Sequence, residues 1–194
     1  EVLKQDGEWV EAGDIAFYVR GSARSILTCE RLVLNCMQRM SGIATYARKA
    51  VDEVQGLGVK ILDTRKTTPN FRMCEKWAVA IGGAQNHRYG LYDMVMLKDN
   101  HNDYAGGITQ AVQSVKSYLE KIGKDLKIEV ETRNLVEVKE ALATGCVDII
   151  MLDNMSSEEM RNAVKIIDGR CETEASGGIT LETLREVAET GVDF

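Results

Sequence analysis

From Val59 onward, short apolar runs alternate with longer stretches in which apolar residues recur every three or four positions. The short runs read as buried strands and the 3.6-residue spacing reads as helices laid against them. The pattern predicts strands at Val59–Leu62, Met94–Leu97, Leu126–Val130, Val147–Leu152 and Glu172–Ala175. Between them it predicts helices at Arg72–Ile81, Ile108–Ile122, Leu135–Ala143, Ser157–Ile167 and Thr180–Glu189. Pro69 stands before the first helix and Gly82-Gly83 ends it, while Gly123, Gly145 and Gly169 end the next three. Thr180 suits the N-cap of the last. Gly191 precedes the start of a sixth strand. Strands and helices alternating at this spacing predict an α/β fold, a parallel sheet with crossover helices. Six strand candidates, the last cut short, suit an eight-stranded βα barrel with pieces missing; an open doubly wound sheet is the alternative.

The N-terminal part lacks this rhythm. Glu1–Leu27 reads as strand-like and turn-rich, and Cys29–Val54 as largely helical with Gly42 interrupting it. Residues 1–42 are therefore assigned to the tail of a preceding domain with a linking helix, and residues 43–194 to the βα part. The chain opens on Glu1 and stops at Phe194 in a strand-like stretch, so it reads as an internal piece of a longer protein.

Composition narrows the function. A net charge of -6 argues against nucleic acid as a partner. No apolar run approaches a membrane span, and no signal peptide is visible. The five cysteines are scattered with no CxxC, as reduced cytoplasmic thiols would be.

Against this acidic background the cations gather. Asp63, Arg65 and Lys66 follow the first predicted strand, and His87-Arg88 follows Gly82-Gly83. Lys98 to His101 follow the second strand, Glu129 and Glu131 close the third, and Asp153 and Asn154 the fourth. Glu174 and Ser176 close the fifth and lead into Gly177-Gly178. Active sites of βα folds lie at that end of the strands. Convergent cations suit a small, multiply charged anion. Ser176-Gly177-Gly178 before a capped helix suits a phosphate. Glu129 and Asp153, on neighbouring strands, suit Mg2+ or ribose hydroxyls, with Glu131 an alternative partner pointing the same way.

These residues resemble those of the quinolinate phosphoribosyltransferase family. The likeness runs through Glu30-Arg31, Ser41-Gly42-Ile43-Ala44, Thr64-Arg65-Lys66-Thr67-Thr68-Pro69, Glu75-Lys76, His87-Arg88, Lys98-Asp99-Asn100-His101, Glu129-Val130-Glu131, Leu152-Asp153-Asn154 and Glu174 to Ile179. Asn70 and Ala84 stand where glycine is common in the family. The resemblance implies an α+β sandwich domain followed by an incomplete TIM-like barrel, and a homodimer with shared sites. It implies transfer of phosphoribose from phosphoribosyl pyrophosphate to quinolinate with decarboxylation, a step of NAD biosynthesis assisted by Mg2+. Arg65, His87, Arg88 and Lys98 would hold the quinolinate carboxylates. Lys66, Glu129 and Asp153 would face phosphoribosyl pyrophosphate and the metal, Ser176, Gly177 and Gly178 the 5′-phosphate, and Arg31 would reach the partner's site. Lys66, Lys98, Glu129 and Asp153 are the expected catalytic set. Three other readings are a molybdate-transport relative, a Schiff-base aldolase using Lys98 and a non-catalytic anion-binding module.

Overall fold

A computed structural model describes residues 1–194. The chain divides into two compact units, Glu1–Val51 with Ile61–His87, and Asp52–Lys60 with Arg88–Phe194.

The first unit contains most of helix α1 (Ala23–Glu53) and all of α2 (Arg72–Ile81). α1 runs unbroken for 31 residues, through Gly42, which was expected to interrupt it. An interior glycine weakens a helix by only about 1 kcal/mol, and neighbouring turns carry it. The strand-like reading of Glu1–Leu27 shrinks to one antiparallel bridge, Val2 to Phe17, and Ala23 to Leu27 are already helical. The predicted strand Val59–Leu62 is likewise only a bridge, Leu62 to Gln85. Its partner is a loop, so the ladder stops after Asp63 N to Gln85 O (3.1 Å) and Gln85 N to Ile61 O (2.8 Å). Gly82 lets α2 approach α1: a Cβ there would lie 2.5 Å from Ala44 O. The left-handed turn that ends α2 falls one residue later, at Gly83 (φ +91).

The second unit is a parallel sheet of β1 (Val95–Leu97), β2 (Ile128–Thr132), β3 (Ile149–Asp153) and β4 (Glu172–Ser176), ordered as in sequence. Helices α4 (Ile108–Ile122), α5 (Leu135–Ala143) and α6 (Ser157–Ile167) match their predicted spans, and α7 is Leu181–Ala188. Caps explain the sharp starts. Asn134 accepts from Val136 N and Glu137 N, and Ser156 with Glu159 forms a reciprocal capping box. Val130, Ile150 and Leu152 of the sheet pack with Val112, Val138, Met160 and Ile167 of the helices. The sixth strand does not form. Asp193 N bonds Thr173 O (3.1 Å) and Ala175 N bonds Phe194 O (3.0 Å), a start of edge pairing with no ladder.

Helix α3 (Asp99–Ala105) was not expected. Its sequence offers no apolar stripe. Local bonds hold it instead: His101 Nδ1 accepts from Lys98 N (3.0 Å), buried Asn102 donates to Glu131 O (3.3 Å), and Gly106 closes it in the left-handed region.

Candidate functional site

Register separates the faces of the sheet. In a strand, successive side chains point to opposite sides. Leu97 aligns with Val130, Val130 with Ile150, and Ile150 with Thr173. These buried residues belong to the helix-packed side. Met96 aligns with Glu129, Glu131 with Met151, Met151 with Glu174, and Asp153 with Ser176. Nearly every charged candidate of the second unit therefore shares the opposite face. Lys98 lies one residue beyond β1 and reaches Glu131 across the strands, Nζ to Oε2 3.8 Å. Arg88 lies along the same edge, donating to Met96 Sδ (3.3 Å) and weakly to Met94 O (3.5 Å).

Glu129 does not close its strand. It is the second residue of β2, fully buried and aligned with Ile149. Asp153 lies four residues beyond Ile149, about 13 Å along the strand direction. Glu131, two residues nearer the C-terminal end, is the acid of β2 at the level of Lys98. Of the two acids of β2, Glu131 stands nearer than Glu129 to the level of Asp153, and carboxylates are the donor type that Mg2+ prefers.

Asp153 is held at the end of β3. Asn154 donates to its carboxylate (2.7 Å), and Asn154 N donates to Ser176 O (2.8 Å). Asn154 adopts φ +52, and Gly177 (φ +98) lies so close that a Cβ would come within 2.2 Å of Asn154 Oδ1. The loop after β4 is glycine because Asn154 occupies the space where a side chain would begin. Gly178 is also left-handed, at φ +65, and α7 follows with Thr180 at its N-cap.

In the first unit, the loop after Asp63 is pinned to the helices. Glu75 on α2 accepts from Thr68 N (3.1 Å), Thr68 Oγ1 (2.8 Å) and Arg39 of α1 (2.7 Å). Burial alone would raise the Glu75 carboxyl. The bonds from Arg39 and Thr68 outweigh it and hold the group below its usual value. Asn70 sits at φ +61, the left-handed geometry that asparagine tolerates better than other non-glycine residues. Arg65 is half-buried, and its Nε is buried without a hydrogen-bond partner, a cost that an anion would relieve. Lys66 is exposed. His87 is buried, and Lys76 and Asp63 hold its backbone. An apolar cavity of about 510 Å3 between α1 and the Ile61–Asp63 segment includes Arg39 and Asp63 but none of the predicted binding residues. Arg31 is exposed on α1, beside the exposed Leu32, Val33 and Leu34.

The sequence placed Asp63 and Asn154 at strand ends and Glu75-Lys76 within the family likeness, but assigned none of the four a role of its own. A signal existed for two of them: Glu75 and Lys76 are charged residues in phase with Ala78 and Val79, on the stripe that helix periodicity marks for burial. The aldolase reading of Lys98 loses support. Its side chain is 44% exposed beside a carboxylate, not enclosed in the apolar site that Schiff-base chemistry needs.

The family model for the C-terminal domain of quinolinate phosphoribosyl transferase matches residues 43–194, and that for the N-terminal domain matches residues 1–41. The chain is 47% identical over 208 residues to a chloroplastic nicotinate-nucleotide pyrophosphorylase (carboxylating) of Arabidopsis thaliana, covering 100% of this chain and 59% of the relative. It is also 47% identical over 197 residues to a probable nicotinate-nucleotide pyrophosphorylase (carboxylating) of Synechocystis, covering 100% of this chain and 65% of that one. Among solved structures, a nicotinate-nucleotide pyrophosphorylase of Francisella tularensis superposes with a TM-score of 0.93 at 43% identity, covering 100% of this chain and 68% of that chain. NadC of Streptococcus pyogenes gives 0.91 at 42% identity, covering 97% and 65%. The chain spans about three fifths of the length of the curated relatives it matches.

Proposed function

Because this chain belongs to the quinolinate phosphoribosyltransferase family, we propose that the whole protein makes nicotinate mononucleotide from quinolinate and phosphoribosyl pyrophosphate, releasing CO2 and pyrophosphate. The observation that carries this is the segregated polar face of the sheet, where Lys98, Glu131, Asp153 and Ser176 stand at the C-terminal ends of successive strands. In this reading residues 1–42 are the end of the N-terminal sandwich domain, and residues 43–194 are part of an incomplete TIM-like barrel.

Arg65, His87, Arg88 and Lys98 bind the two carboxylates of quinolinate through charge-assisted hydrogen bonds. The ring nitrogen attacks C1 of the ribose as the bond to pyrophosphate breaks, through an oxocarbenium-like state. Lys66 stabilises the charge gathering on the leaving group. Asp153, oriented by Asn154, accepts from the ribose hydroxyls. Backbone N–H groups around Ser176, Gly177 and Gly178 take the 5′-phosphate. The carboxylate beside the alkylated nitrogen then leaves as CO2. Its bonding electrons remain on the ring carbon, which takes a proton. Cations along the acceptor stabilise that developing negative charge. Mg2+, when bound, would neutralise charge on the leaving pyrophosphate, and Asp153 with Glu131, the acid of β2 nearer its level, would hold it. Arg31 acts in the partner's site of a homodimer, and the exposed apolar residues beside it on α1 suit burial at that contact. The cytoplasm is the proposed compartment; the structure has no helix long and apolar enough to cross a membrane.

The test is release of labelled CO2 from quinolinate by the full-length protein. Release that requires phosphoribosyl pyrophosphate supports the proposal. No release, or release independent of it, overturns it.

A further inference from the structure

We propose that the buried ion pair of Lys76 and Asp63 is a positioning device for His87, and through it for the acceptor; this rests on the reading that quinolinate is that acceptor. The two side chains are 4% and 8% exposed. Lys76 Nζ pairs with Asp63 Oδ1 and donates to His87 O (2.9 Å). The same Asp63 oxygen accepts from His87 N (2.9 Å). Asp63 Oδ2 accepts from Asn86 Nδ2 (2.7 Å), which also donates to Lys76 O (2.9 Å). Both polar groups of the His87 backbone are thus held by the two members of one ion pair.

The arrangement is unusual because regular structure ordinarily satisfies such groups. Around Asn86 and His87 there is no strand, only the bridge at Gln85. A buried ion pair is a weak source of stability, and two well-packed apolar side chains of similar volume often serve a fold as well. Apolar side chains could not hold an amide and a carbonyl at once. What the pair supplies that they could not is a fixed peptide at position 87, and so a fixed Cα–Cβ direction from which the imidazole leaves. A binding site needs its ligands' own supports locked in this way, since small displacements of a charged contact cost much of its strength.

The test uses the full-length protein with 15N-labelled histidine, the His87 imidazole being assigned by difference from His87→Gln. Lys76→Met is expected to shift the His87 imidazole signals, to leave those of His101 in place, and to weaken quinolinate binding by about ten-fold or more. Ile167→Ala, a cavity in the helix-packed core of the second unit, is the control for general destabilisation and should leave the His87 signals and the affinity unchanged. Unmoved His87 signals in a folded variant, with or without a change in affinity, would overturn the inference. Equal effects from Ile167→Ala would do the same. Should Lys76→Met not fold, Asp63→Asn/Lys76→Met removes both charges and leaves none buried alone. The same losses are expected there, and parent-like signals and affinity would overturn the inference. If neither folds, the pair is a folding requirement and its assignment to positioning falls. If the unaltered protein does not bind quinolinate, the functional reading fails by itself, while the imidazole signals still test the positioning.

Discussion

Two lysine–carboxylate pairs, one in each unit, look alike in sequence and behave oppositely in the fold. Lys76 and Asp63 are sealed from solvent, and their oxygens and ammonium hydrogens are spoken for by Asn86 and His87. Lys98 and Glu131 stand 3.8 Å apart with the lysine 44% exposed. The first pair is closed, so its charges act on the chain itself. The second is loose and wet, so its lysine can trade the carboxylate for a ligand at little cost. Charge type does not separate a structural cation from a binding one; the number of partners already satisfied does.

The largest expected effect breaks the closed pair. Asp63→Ala leaves the Lys76 ammonium buried without its partner, and should lower the unfolding free energy by about 3–5 kcal/mol in denaturant titration. A loss below about 1 kcal/mol would make the two pairs equivalent. Lys98→Met sharpens the contrast from the other side. Stability should change by no more than about 1 kcal/mol, while quinolinate affinity in the full-length protein, read by calorimetry, falls roughly ten- to a hundred-fold.

Glu75 tests the closed region through pH. Its folded carboxyl titrates below the ordinary 4.5. A depressed acid contributes stability that is fully present above the unfolded value and lost as pH falls through the folded one. Wild type should therefore exceed Glu75→Gln in stability above about pH 4.5, and the gap should close on further acidification in urea titrations at stepped pH. A pH-independent gap would mean that the carboxylate's charge is not what holds Thr68 and Arg39.

The smallest effect concerns glycine. A Cβ at Gly42 would meet nothing within 4 Å, whereas one at Gly82 would meet Ala44 O at 2.5 Å. Gly42→Ala should raise the melting temperature, gaining about 0.5–1 kcal/mol, and Gly82→Ala should lower it.

Periodicity and glycine punctuation made the helices α2, α4, α5 and α6 and the central strands legible, because each buries apolar residues and each of these helices ends within two residues of a glycine. α3 was illegible because nothing apolar drives it; Asn102 and His101 hold it through contacts that exist only once β2 and Lys98 are in place. Val59–Leu62 misled because an apolar run predicts burial, not a pairing partner. In the site, the residue types were visible, but register was not. Glu129 and Glu131 are interchangeable in a list of strand-end acids, and only the alignment of Glu131 with Met151 tells which stands nearer Asp153. Lys76 was visible within the Glu75-Lys76 motif, but its place was not, because a sequence shows a charge and not its burial.

The alternation along β2, β3 and β4 has a consequence for how such a protein can diverge. Helix-packed core residues and residues of the proposed site occupy alternate positions of the same five-residue strands. If the polar face is the site proposed above, a substitution at Met96 or Met151 would alter what a ligand meets and leave the helix-packed Val130, Ile150 and Leu152 in place. A new acceptor can therefore be explored by point changes on one side of the sheet without renegotiating the fold. The same interleaving makes the strands intolerant of length change, since a single inserted residue in β2 would turn its two glutamates into the core and Val130 out of it. Variation in relatives with altered specificity should accordingly consist of replacements at alternate strand positions, with insertions confined to the loops.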